Sequence, residues 1–372
     1  MAAADARAAL DALTIPIERQ TIFGDAPERA NAPSAAFRRN GGRIHGSLDA
    51  WLTWIARYSG EMPEPLKDKF EFTKATAFSA AYHFLSAKTP EIEPVAAAFM
   101  RSVKRVTQMG ALPTYFVAFA SLRMSMELAA RAKLLIPFHE TDEQKTQLFN
   151  EGRAMMDEFC RRPDYNRMMN EVGSTNVKLL SSSTKQMDEG MLAILESMIM
   201  GGWAAFESMA SDLWEVSLNH GPKTWVMKYT GATSAKASKN QEKSVVISQL
   251  NRYDFDVSKQ MGTILKAKNG FASWREISQA YSDAFGDEMV SILNDQAHNE
   301  LRAMEAIRHV IAHRAGIVGP KFLEDVADFP EWNSCAKDQP LPLDGSKVSR
   351  LMDSVVSCAE SMIKWIDKNI TP

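Results

Sequence analysis

Residues 297–318 read AHNELRAMEAIRHVIAHRAGIV. Ala297, Leu301, Met304, Ile307 and Ile311 follow one another at steps of four, three, three and four, which is one face of an α-helix. Gly316 then supplies a residue that accepts a left-handed backbone and ends the helix. Arg308 falls inside the apolar stripe, beside Met304 and Ile311. A guanidinium in that position needs a carboxylate, because breaking one side of a buried ion pair costs about 3–5 kcal/mol.

Outward from this helix the same periodicity recurs, and the chain reads as all-α. Toward the N-terminus, 47–58 places Leu48, Trp51, Leu52 and Ile55 on one face, and a second helix is expected over about 66–87. Thr89-Pro90-Glu91 reads as a cap with proline at the first helical position, opening a helix to about Met109. Pro113 opens another, with Phe116, Phe119, Ala120, Leu122 and Met126 at helical spacing. Thr141-x-x-Gln144 is a capping box for a helix to about Arg161. The stretch 163–183 reads as polar and irregular, and Ser181-Ser182-Ser183 as a linker. Two domains are therefore expected: 1–184, helical and without an assignable role, and 185–372, an antiparallel helical bundle.

In the second half, a helix over 185–218 ends at Asn219-His220-Gly221-Pro222. Helices are expected over about 243–268, over a short piece capped by Ser273-x-x-Glu276, over about 288–313, and over about 346–368. The short runs FVAF and VVI lie inside helical patterns and signal no strand.

Bulk properties narrow the function classes. The net charge of −3 means that any contact with nucleic acid comes from a local patch. The three cysteines are scattered and form no Cys-x-x-Cys pair, which argues against a disulfide framework or a structural zinc site and suits a reducing, cytoplasmic setting. The N-terminus has no apolar h-region, and Glu196 interrupts the most apolar stretch, 191–206, so that segment reads as a buried helix and no membrane span is expected.

The candidate chemistry gathers on the 297–318 helix. Arg308, His309, His313 and Arg314 cluster there, with Glu305 one turn earlier. A histidine near neutrality can take or give a proton, and an arginine can hold phosphoryl oxygens as charge builds on them. Glu207, ahead of Glu196, is the expected carboxylate partner of Arg308. Glu305, His309 and His313 at i, i+4 and i+8 form a rival metal-binding stripe, but Glu-x-x-His occurs nowhere in the chain, so no metal or other cofactor is expected. Arg314 reads either as a solvated helix-end cation or as an RNA phosphate contact. No acidic residue stands between Glu215 and Glu242, whereas Lys223, Lys228, Lys236 and Lys239 do, and these lysines are candidate phosphate contacts.

The segment Arg308-His309-Val310-Ile311-Ala312-His313 resembles the motif of the HEPN superfamily (higher eukaryotes and prokaryotes nucleotide-binding): an arginine, a polar residue, and a histidine after four to six intervening positions. Trp203-Ala204-Ala205-Phe206-Glu207 and Asp212-Leu213-Trp214 resemble the Phe-Glu-bearing helix of the same groups, and Arg314-Ala315-Gly316-Ile317-Val318 resembles their turn after the motif. The resemblance covers about 186–372. It implies a HEPN-like bundle and a metal-independent endoribonuclease that cleaves RNA by attack of the ribose 2′-hydroxyl, leaving a 2′,3′-cyclic phosphate. Arg308, His313, His309 and Glu207 would be its catalytic group. It also implies a homodimer with a composite site, in a toxin or antiviral defence system with an antitoxin or other defence partner. A non-catalytic RNA-binding or scaffolding module of the same fold is the other reading. Arg308 and His313 stand five residues apart, about 140° around an ideal helix. Either the last turn before Gly316 distorts, or the two meet across a dimer.

Overall fold

The computed structural model describes residues 85–181, 185–221, 225, 250–295, 300–332 and 335–370. The expected helix over 47–58, most of that over 66–87, the start of that over 243–268, and Lys223, Lys228, Lys236 and Lys239 lie outside the described residues. The described chain is helical. Its one ladder contact is an isolated antiparallel bridge between Ile317 and Pro340.

Helix α1 spans Glu93–Leu134, α2 Asp142–Cys160, α3 Tyr165–Ser181 and α4 Lys185–His220. Four short or medium helices follow: α5 Met261–Lys266, α6 Trp274–Phe285, α7 Asp287–Leu293 and α8 Glu300–Arg314. The series closes with α9 Pro320–Asp325 and α10 Gly345–Asn369.

The centre is α4. Its buried side chains (Leu195, Met198, Ile199, Trp203, Phe206, Leu213 and Trp214 among them) point to nearly all sides. A helix apolar all round must itself be covered all round. α1, α5, α6, α8 and α10 supply the cover. Small residues set how close they come. Gly202 of α4 lies under Met304 of α8 and Met352 of α10, and a Cβ there would stand 2.5 Å from the Met352 sulfur. Polar clamps fix the register between α4 and α6: Trp214 Nε1 donates to the Ala280 carbonyl at 3.0 Å, and the Tyr281 hydroxyl to the Ala210 carbonyl at 2.6 Å. The last helix, α10, is capped by Asp344, whose carboxylate accepts from the Lys347 amide at 2.8 Å. It buries Val348, Leu351, Val355, Met362 and Ile366 along one face.

Several boundaries differ from the sequence reading. The two helices expected on either side of Pro113 are one 42-residue helix, α1, with that proline inside it. Packing on both sides carries the helix through the lost hydrogen bond: Gly110 sits against Met198 and Ala111 is buried. Residues 163–183, expected to be irregular, contain α3. Its Gly173 lies so close to α1 that a Cβ would be 2.7 Å from the Thr114 carbonyl oxygen. Polar composition hid a helix that buries Met169 and Val177 on either side of this glycine. The core also crosses the expected division between 184 and 185, since Ile92, Val95, Phe99 and Val103 of the first half join the cluster around Trp203. The helix expected over 243–268 is broken, with Asp254 and Phe255 at φ 51° and 61°, and the Asp256 carboxylate accepting from the Ser258 amide in a side-chain turn. The helix expected over 288–313 is two, α7 and α8, with Asn294 closing the first.

The far half of α1 leaves the main core and forms an arm with α2 and α3. Its own clusters are small, one around Leu122, Met126 and Phe159 and another around Ala130, Ile136 and Leu148. Among the described residues, every exposed large apolar side chain except Met187 and Phe255 lies between Met109 and Phe149, on this arm.

Candidate functional site

Helix α8 carries the candidate residues because its inner stripe is held by α4 and α10. Leu301, Met304, Ile307 and Val310 are buried and Ile311 is half-buried, while Ala297 lies outside the described residues. The helix stays regular to Arg314. The chain then reverses through Ala315 and Gly316, at φ 49° and 78°, and the Gly316 amide returns to the Val310 carbonyl at 3.2 Å. Glycine suits position 316 twice over: its φ is left-handed, and a Cβ would lie 2.9 Å from the Glu196 carboxylate. Beyond the reversal, the Val318 amide donates to Gln339 and the Leu341 amide to Gly316, which pins the loop before α10 against the end of α8.

Arg308 sits at the edge of the stripe. Its side chain is 28% exposed and that of Glu207 34% exposed, with Nη1 3.7 Å from the Glu207 carboxylate. Nη2 lies 3.4 Å from the Ala272 carbonyl oxygen, and the guanidinium carbon is 5.3 Å above the Trp203 ring. The expected partner is therefore the observed one, but the pair is half-buried. Arg308 Nε and Trp203 Nε1 are buried donors with no partner among the described residues. Glu196 is spent elsewhere: it lies against Gly316, and burial pushes its carboxyl above the usual carboxylate range. Glu305 is likewise raised by burial, against the opposing pull of the Trp274 amide and of Arg308.

His309 and His313 occupy a different face. Both are exposed, one turn apart, with ring centroids 4.4 Å from each other. The regular helix removes the first of the two alternatives above, because no distortion before Gly316 swings His313 toward Arg308. A single chain thus presents two groups: Arg308 with Glu207 and Trp203, and the His309–His313 pair. Arg314 is exposed but tethered. Its guanidinium rests over Gly319, where a Cβ would meet Nη1 at 2.2 Å, and it lies 3.5 Å from the Asp338 carboxylate. No group of three or more His, Cys, Asp or Glu side chains suited to a metal ion occurs among the described residues.

Sequence reasoning missed three contributors. Trp203 reads as core from its spacing, yet its ring face is what Arg308 covers. The Ala272 carbonyl and Asp338 lie in loops, where no periodicity marks them. Cys160, Cys335 and Cys358 are all free thiols, and among the described residues no helix is long and apolar enough to cross a membrane. No family model, curated protein or solved structure matches the chain.

Proposed function

We propose that the chain is a metal-independent endoribonuclease of HEPN type in which His309 and His313 form the proton-transfer pair. The observation that carries this reading is their geometry: two exposed imidazoles, tilted against each other with ring centroids 4.4 Å apart, on the outer face of α8. Cleavage of RNA by its own 2′-hydroxyl needs one group to accept that proton and another to protonate the departing 5′-oxygen. Two neighbouring imidazoles divide these tasks between them. In this reading His313 takes the 2′-hydroxyl proton and His309 gives a proton to the departing 5′-oxygen, leaving a 2′,3′-cyclic phosphate and a 5′-hydroxyl. An arginine is required at the phosphoryl oxygens. Since Arg308 of one chain faces Glu207 and Trp203 and not its own His313, the arginine that serves a given histidine pair comes from a second copy. Lys223, Lys228, Lys236 and Lys239 add phosphate contacts to the RNA. A homodimer acting in a toxin or defence system, restrained by an antitoxin or another defence partner, is part of the same reading.

Subunit mixing tests the composite site. Arg308→Ala and His313→Ala chains, each inactive alone, regain cleavage when combined if the site is shared, up to about a quarter of the wild-type activity per site. No recovery, with dimers demonstrably exchanged, overturns the shared site.

One observation favours a second reading, a non-catalytic RNA-binding module. Glu207, the Ala272 carbonyl and the Trp203 face already engage Arg308, as they would a residue that only fastens α8 to α4. Under that reading Arg308→Ala lowers stability, and no histidine substitution changes any activity on RNA.

A further inference from the structure

A trough of about 410 Å³ lies between α6, the end of α7 and the first turn of α8, and neither histidine of the pair lines it. Arg275, Ser278 and Ser282 line it from one face of α6, Asn294 from the end of α7, and Arg302 from α8. Trp274 also lines it. No carboxylate lines it. In a chain with net charge −3, two arginines facing one hollow without a carboxylate is an arrangement that an anion balances.

Three further observations define the anion. Neither arginine makes an ion pair among the described residues. The Ser278 Oγ, beneath the wall of the trough, is buried and has no hydrogen-bond partner among the described residues. Arg302 stands in the first turn of α8, where the helix dipole favours negative charge, and its guanidinium is steadied 5.8 Å above the Phe329 ring. We propose that this trough is a phosphoryl-binding site. Two planar guanidinium forks match the several oxygens and double charge of a phosphate ester better than they match a single carboxylate. The volume exceeds that of a bare phosphate and leaves room for what the phosphate is attached to, with the indole of Trp274 as an apolar wall.

The phosphoryl group can belong to a free nucleotide or to an RNA strand running past α8. The site rests on the proposed function only in taking RNA as one of these two sources. In the RNA case it holds a phosphate distant from the one being cut.

The test uses the full chain and four probes: inorganic phosphate, pyrophosphate, 5′-AMP, and a fluorescein-labelled 12-nucleotide RNA. Melting temperature is followed for the first three, and fluorescence anisotropy across a salt series for the fourth. Arg275→Ala, Arg302→Ala and, as a control, Lys321→Ala are compared with wild type. The site predicts that pyrophosphate or 5′-AMP raises the melting temperature of wild type and of Lys321→Ala, and that either arginine substitution weakens binding about tenfold. If RNA is the source, each arginine variant also weakens the 12-mer about tenfold and lowers its salt slope by about one. Dependence on the arginines for 5′-AMP but not for RNA supports the site and assigns it to a free nucleotide. RNA bound through these arginines but never cut upholds the site while refuting the nuclease. If the arginine variants bind every probe as wild type does, or wild type binds none, the proposal is overturned.

Discussion

The pair between Arg308 and Glu207 gives the sharpest energetic prediction, because its geometry separates two magnitudes. At 3.7 Å the bare attraction is about 1 kcal/mol in water and about 4 kcal/mol at an effective dielectric of 20. Both side chains are roughly a third exposed, so solvent screens much of the larger figure, and the ordering of two long side chains offsets part of the rest. Removing Glu207 leaves Arg308 with the Ala272 carbonyl, the Trp203 face and access to water. The expected coupling in a double-mutant cycle of Glu207→Gln and Arg308→Gln is therefore about 1 kcal/mol, well short of the 3–5 kcal/mol that follows when a fully buried pair is broken. Arg308→Gln should cost more than Glu207→Gln by about 0.5–1 kcal/mol, because it also removes the contact with the indole. Urea unfolding of the four proteins at low and high salt measures this. A coupling above about 3 kcal/mol, or one that salt leaves untouched, would refute the half-buried description. A coupling near zero would mean that the pair does not fasten α8 to α4.

Other consequences are equally concrete. Gly262→Ala should destabilise by about 1–3 kcal/mol with an unchanged urea slope, because its Cβ would stand 2.1 Å from the Glu215 carbonyl oxygen, a backbone atom that cannot turn aside. The Asp367 carboxylate accepts from the Lys88 and Thr89 amides; burial raises its pKa, but those hydrogen bonds outweigh burial and leave it below the ordinary value. A depressed folded-state pKa gives stability that is complete above the unfolded value, about 4, and lost as pH falls through the folded value. Asp367→Asn should accordingly weaken the protein at pH 7 and flatten its stability between about pH 5 and pH 3, as urea midpoints across that range would reveal. Gly319→Ala should displace the Arg314 guanidinium and weaken RNA binding with little change in melting temperature, since the affected side chain is exposed; an unchanged affinity would remove Arg314 from the RNA contacts.

Local chemistry made much of this fold legible. The capping boxes at Thr141-Gln144 and Ser273-Glu276 form as their side chains require, and α4 and α10 begin and end within a few residues of the expected positions. What failed to show depends on partners distant in sequence. Pro113 reads as a boundary because it removes an amide, yet the packing of Gly110 on Met198 carries the helix through. α3 was hidden among its polar residues, although Tyr165, Met169, Gly173 and Val177 stand at steps of four and form its inner face. At the candidate site, the stripe gave the position of Arg308, and a buried cation's need for a carboxylate gave Glu207. The Trp203 face, the Ala272 carbonyl and the Asp338 tether could not be read, since each comes from a different element. The proximity of His309 and His313 follows from their four-residue spacing, which is plain in the sequence.

The most direct test of the nuclease reading is digestion of a defined RNA by purified protein in excess EDTA, with wild type, His309→Ala and His313→Ala run side by side and the product ends identified by mass. The account predicts cleavage without metal, 2′,3′-cyclic phosphate and 5′-hydroxyl ends, and a loss of about 10²–10⁴-fold in each variant while its melting temperature stays within about 2 °C of wild type. Intact RNA with wild type, or cutting by His313→Ala at the wild-type rate, would contradict it.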